Sequence, residues 1–134
     1  MTVQKNADDP LKLMAMLGRI SELSSQHSVT SVVAGIYSET GNQLFPEFIN
    51  FLESALRVED AIFRMTRERA VVHLADIDKA AANEVLERIM LDFRAEFPTI
   101  DAAPFSIRLY EVESGTEELR AKVLLPALFA PLDS

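Results

Sequence analysis

The chain contains no cysteine and no tryptophan, and only two histidines and four glycines among its 134 residues. Lacking cysteine, it can form neither a disulfide framework nor a thiolate nucleophile. Two histidines alone leave few ligand sets for zinc or iron. Glycine is too sparse for a Gly-rich strand-to-helix loop that would cradle a phosphate. No apolar run approaches the roughly 18 residues needed to span a bilayer. The opening MTVQKNADDP is polar and acidic, without the charged-then-apolar pattern of a signal peptide. Basic residues are also few, 13 against 21 acids, for a net charge of −8. Such a chain repels polyphosphate and anionic lipid, so neither nucleic acid nor a membrane is an expected partner. A cytoplasmic location is the corresponding expectation.

What is present suits a folded domain. Hydrophobic residues make up 49% of the chain, and its length is enough for a real core. Residues 1–8 read as a tail. Asp9-Pro10 is an N-cap followed by proline at the first helical position. Leu13, Met16, Leu17, Ile20 and Leu23 then give one apolar stripe, predicting a helix over 9–26. SVTSVVAGIYS, from Ser28 to Ser38, is β-branched and apolar enough for a strand buried on both faces. After a turn at Thr40-Gly41-Asn42, Pro46 opens a second helix with Phe48, Ile49, Phe51, Leu52, Ala55 and Leu56 inward.

Residues 60–65 and 70–75 read as two short strands joined by a four-residue loop, Thr66-Arg67-Glu68-Arg69. Asp76 or Asp78 caps a third helix running to about Phe97, its face made by Ala81, Val85, Leu86, Ile89, Met90 and Phe93. Glu84 and Arg88 stand four apart as a surface pair, and Pro98 stops the helix. Phe105, Ile107 and Leu109 alternate with polar neighbours as a half-buried strand. Ser114-Gly115-Thr116-Glu117 has the form of a capping box, placing a last helix over 114–130, ended or kinked by Pro126. The expected fold is α+β: a ferredoxin-like βαββαβ core over 28–112. Its four-stranded, mainly antiparallel sheet carries two helices on one face, with helices added at each end of a single domain over 1–134.

Few residues invite chemistry. His27 ends a helix and is expected at the surface, and His73 lies within a strand as a packed or rim residue. No serine, histidine and acid set has a nucleophile-turn context. The five methionines sit mostly at core spacing. Residues 57–70 are denser, with Arg57, Arg64, Arg67 and Arg69 near one helix-to-hairpin region. Guanidinium groups bind phosphates and guanine edges through forked hydrogen bonds. They equally pair with neighbouring acids such as Glu59, Asp60 and Glu68 on a solvated surface.

The stretch from Gly41 to about Val112 resembles the GGDEF family of diguanylate cyclase domains. That family shows an Arg-x-x-Asp pair, five residues, then a Gly-Gly-Asp-Glu-Phe hairpin. Here Arg57-Val-Glu-Asp60 is followed by AIFRM and then by Thr66-Arg67-Glu68-Arg69-Ala70, in register and without a gap. Gly41-Asn42 falls at the family's Gly-Asp, and Leu86-Glu87-Arg88-Ile89 matches its Ala-Glu-Arg-Ile segment.

The departures fall on the catalytic parts. Both hairpin glycines are replaced, by Thr66 and Arg67, and the second acid by Arg69. The first strand ends Gly35-Ile36-Tyr37-Ser38 where the family supplies a metal-binding aspartate, and the following segment is shortened. Two metal ions on a triphosphate require several carboxylates held together. The expectation is therefore a degenerate, non-enzymatic domain with no cofactor and no metal site. The resemblance also implies a separate cyclic di-GMP site, formed by Arg57 and Asp60 of the Arg-x-x-Asp pair and Arg88 on the following helix. The implied function is regulatory, through a protein partner, a homodimer or cyclic di-GMP. The rival is a ferredoxin-like interaction or small-ligand module unrelated to cyclic dinucleotides.

Overall fold

The computed structural model describes residues 7–39, 41–97, 105–116 and 118–129. In chain order the elements are α1 (Pro10–Gln26), β1 (Ser31–Ser38), α2 (Leu44–Ala55), β2 (Ala61–Thr66), β3 (Arg69–Leu74), α3 (Lys79–Glu96), β4 (Phe105–Val112) and α4 (Ala121–Phe129). The four strands form one sheet in the order β2-β3-β1-β4, every neighbouring pair antiparallel. This is the expected ferredoxin-like α+β arrangement, with β1 at the centre.

The centre of β1, Val32–Ile36, carries no polar side chain because both of its faces are covered. Val32, Ala34 and Ile36 join the core under α2 and α3, with Phe48, Leu52, Leu86 and Phe93. Val33 joins a second core under α1 and α4, with Leu17, Ile20, Leu124 and Leu128. The two end helices thus cover the face that the βαββαβ unit leaves bare. Burying each of these large side chains contributes about 1.5–3 kcal/mol. In the first core Phe48 stacks on Phe105 at 4.9 Å and meets Phe93 edge-on at 5.2 Å. Such pairs add about 0.5–1.5 kcal/mol beyond the buried area.

Gly35 sets how closely α4 lies on the sheet. A Cβ there would stand 2.6 Å from the Leu128 Cβ and 3.2 Å from the Phe129 ring. Only glycine lets the helix seat at that point.

Several local expectations are corrected. The chain before α1 is not wholly a tail, since the Asp8 N–H donates to the Arg64 carbonyl and the Arg64 N–H donates to Asp8 Oδ2, both at 2.8 Å. α2 begins at Leu44, two residues before Pro46, because Asn42 Oδ1 accepts from the N–H groups of Leu44 and Phe45. The hairpin loop is the two residues Arg67-Glu68, with Thr66 paired to Arg69 and a bulge between Arg64 and Thr66. The α3 cap is Asp78, whose Oδ1 accepts from the Ala81 N–H at 2.8 Å. The buried stripe of α3 is Ala82, Leu86, Ile89 and Phe93, and Val85 lies on the outer side.

The capping box at Ser114 does not start a helix. The Ser24 hydroxyl, buried on α1, donates to the Glu113 carbonyl and accepts from the Thr116 N–H, each at 2.7 Å. The Gly115 N–H donates to the Ser24 carbonyl. These bonds hold the segment as a turn, so α4 begins only at Ala121 and runs through Pro126. Glu117 and Pro98 lie outside the described residues.

Candidate functional site

Arg57 and Asp60 sit in the turn between α2 and β2, which the Asp60 N–H closes by donating to the Arg57 carbonyl at 3.0 Å. The Asp60 carboxylate accepts four hydrogen bonds. Its Oδ2 takes the Arg57 backbone N–H and Nε, both at 3.0 Å, and its Oδ1 takes Arg57 Nη2 at 2.9 Å and the Ala75 N–H at 3.0 Å. Arg57 Nη2 also donates to the Ala75 carbonyl at 2.6 Å. The corner thus ties the exit of α2 to the end of β3. A carboxylate has about four acceptor positions, so Asp60 is fully used, and its side chain is only 2% exposed. Arg57 is 45% exposed and lies 3.4 Å from Glu59. The hydrogen bond to Asp60 raises the Arg57 pKa further.

Arg88 makes no hydrogen bond or ion pair with Arg57 or Asp60. It lies exposed on α3 and makes no ion pair with Glu84 or any other described residue. The hollow beside Arg57 has a volume of about 250 Å³ and is lined by Lys12, Glu53, Leu56, Arg57 and Ile62. Lys12 has no local sequence signal for this place, since it comes from α1, far along the chain. Glu53 has its pKa lowered by the hydrogen bond from Arg64, whose Nη2 lies 2.8 Å away.

His73 lies behind the corner, on the sheet face covered by α1. It is 1% exposed and its Nε2 has no partner. Burial pushes its pKa down to about 4, with the Arg19 and Arg57 charges adding to the effect and Asp60 opposing it. It is a neutral core histidine at ordinary pH. His27 caps the end of α1 at the surface.

The hairpin is built differently. Neither Arg67 nor Glu68 has a positive φ, so the turn does not use the mirror-image geometry that favours glycine. The Thr66 hydroxyl accepts from the Glu68 N–H at 3.1 Å, and the Glu68 carboxylate accepts from the Gly41 N–H at 3.4 Å. Thr66, Arg67 and Arg69 are exposed. Arg69 stacks over the Phe129 ring at 5.3 Å, and Tyr37 meets that ring edge-on at 6.0 Å. Phe129 reaches the hairpin only because Gly35 admits α4, a contact with no local sequence signal.

The hollow between hairpin and α2 is about 10 Å³, lined by Phe45, Pro46, Arg64, Thr66, Arg67 and Arg69. That is about enough for one water. Among the described residues no group of three or more His, Asp or Glu side chains could hold a metal ion. Tyr37 and Ser38 end β1, and Glu68 is the only acid in the hairpin. These residues do not fit a metal-bound triphosphate.

No protein-family model and no curated protein sequence matches the chain. Solved structures do match. PelD 156–455 from Pseudomonas aeruginosa PA14, in complex with c-di-GMP, aligns with a TM-score of 0.68 at 20% identity, over 90% of this chain and 44% of that one. A DGC protein from Thermotoga maritima aligns at 0.67 and 13% identity, over 92% and 94%. The GGDEF domain of DgcB from Caulobacter crescentus, in complex with c-di-GMP, aligns at 0.65 and 13%, over 86% and 82%. The chain spans less than half the PelD structure it matches, but nearly the whole of the Thermotoga one. Among the described residues no helix is long and apolar enough to cross a membrane. The chain has the fold of GGDEF domains, with the Arg-x-x-Asp corner formed and the hairpin rebuilt.

Proposed function

We propose that this chain is a non-catalytic GGDEF-like regulatory domain that acts by binding rather than by turnover. One observation supports the reading: Thr66, Arg67 and Arg69 stand at the hairpin where the family sets two glycines and an acid, beside a hollow of about 10 Å³. Among the described residues no carboxylate cluster is available to hold the metal ions of a nucleotide triphosphate. Its action then depends on a protein partner or a second copy of the chain, in the cytoplasm.

Cyclic di-GMP at the Arg57 corner is a second reading. It is favoured by the half-exposed Arg57 guanidinium over a 250 Å³ hollow, and by PelD and DgcB, structures of the same fold in complex with c-di-GMP. Asp60 has no free acceptor, so the ligand would meet Arg57 through Nη1, which among the described residues is engaged only by Glu59 at 3.4 Å. Isothermal titration separates the two. The first reading gives no heat with GTP and magnesium. The second adds micromolar cyclic di-GMP binding that Arg57→Ala abolishes. Loss in Arg88→Ala as well would mean that Arg88 reaches the ligand from α3. No heat with cyclic di-GMP removes the second reading and leaves the first.

A further inference from the structure

The two edges of the sheet are treated differently. At the β2 edge, Asp8 makes two hydrogen bonds to the Arg64 backbone and occupies the outward-facing positions. At the β4 edge no described residue pairs with the strand, although it runs eight residues, Phe105–Val112. In an antiparallel ladder alternate residues turn their N–H and C=O away from the neighbour. An edge of this length left unpaired by the described residues is a template for another strand. Beside it lies a hollow of about 450 Å³ between β4 and α3, lined by Glu87, Met90, Leu91, Arg94, Phe105 and Ile107. Leu91 is 61% exposed there, and the Arg94 Nε is buried without an acceptor. An open edge beside a groove with an apolar side, here Met90, Leu91, Phe105 and Ile107, is the geometry of strand addition.

We infer that this edge pairs with the same edge of a second copy, joining two sheets into one of eight antiparallel strands. This rests on the reading that the chain acts by association. The choice of a second copy comes from the residues of β4. A two-fold axis normal to the sheet sets opposite residues on the same face, so it must pass through one residue and its own copy. On Arg108 it would oppose two guanidiniums. On Leu109 it would set Ile107 against Glu111 and Phe105 against Glu113. On Ile107 it sets Ile107 against itself, Phe105 against Leu109 and Ser106 against Arg108. That register joins apolar to apolar on the α3 face and places no like charges together. It also brings Phe105, Ile107 and Leu109 of each copy towards the other's groove and its exposed Leu91.

The register can be tested at an exposed position that leaves the core intact. Sedimentation equilibrium of the whole chain should show a concentration-dependent dimer. Ser106→Arg, facing Arg108 twice across the axis, should weaken it about tenfold, and Ser106→Glu should tighten it several-fold. The sign is diagnostic: in a chain of net charge −8, unspecific electrostatics would favour Arg and disfavour Glu. Ser106→Arg combined with Arg108→Glu should restore the dimer. A monomer at all concentrations overturns the inference while leaving the non-catalytic reading standing. So does a dimer indifferent to Ser106 but lost in Leu11→Lys/Met14→Lys, which would place the contact on α1. A dimer that turned over GTP would keep the inference and remove the reading beneath it.

Discussion

The Arg57–Asp60 corner and the Thr66–Arg69 hairpin lie a few residues apart and both carry arginine, yet they are built on opposite principles. At the corner a buried carboxylate accepts four hydrogen bonds and ties α2 to β3. At the hairpin Arg67 and Arg69 stand exposed and make no ion pair among the described residues. The same side chain is a framework element in one place and surface in the other. A charged residue near a motif therefore says little until its partners are counted.

The largest effect is expected at Asp60. Asp60→Ala leaves the Arg57 and Ala75 backbone N–H groups without their acceptor and removes the partner of a guanidinium. Breaking such a set costs about 3–4 kcal/mol, read as a lower urea midpoint. Arg57→Ala should cost less, about 1–2 kcal/mol, because Asp60 keeps two backbone donors and Arg57 is 45% exposed. Equal losses in the two variants would mean that the ion pair, rather than the carboxylate's backbone bonds, holds the corner.

The next effect depends on pH and arises beside the same corner. The unfolded His73 imidazole takes up a proton near its ordinary 6.5, the folded one only near 4. Folding therefore expels a proton. Stability contributed here is complete above about pH 6.5, falls as the pH drops through that window, and levels off below about 4. The total is about 3 kcal/mol. His73→Leu should flatten this part of the stability profile, as measured by urea melts between pH 4 and 7. An unchanged slope would show that His73 is not the group responsible.

Gly35→Ala comes third, at about 1–3 kcal/mol, since its Cβ must displace Leu128. It should also loosen Phe129 from Arg69, seen as a shift of the Phe129 ring resonances. The smallest effects belong to the hairpin. Arg67→Ala should change stability by less than about 0.5 kcal/mol, and Arg69→Ala by about 0.5–1 kcal/mol through its stack on Phe129. A larger loss at Arg67 would mean that the hairpin has a structural partner like the corner's.

Much of this contrast was legible in the sequence where it depended on neighbours. The apolar run of β1 announced a strand covered on both faces, and the Arg-x-x-Asp spacing placed Arg57 and Asp60 together. Departures at Thr66, Arg67 and Arg69 are plain in the residues themselves. What escaped depends on distant contacts. Ser24 holds Glu113 and Thr116 in a turn that read as a helix cap, Asp8 reaches the β2 edge from what read as a tail, and Gly35 admits α4. Val85 fits the stripe by residue type alone, whereas Ala82 is the residue buried and Val85 is 38% exposed. Arg88 rests on family spacing, and on α3 it is exposed.

The most direct test of the account is incubation of the purified chain with GTP and magnesium, followed by chromatography for cyclic di-GMP. The hairpin geometry predicts that GTP is recovered intact. Formation of cyclic di-GMP by the chain, abolished on mutating Glu68, would contradict it.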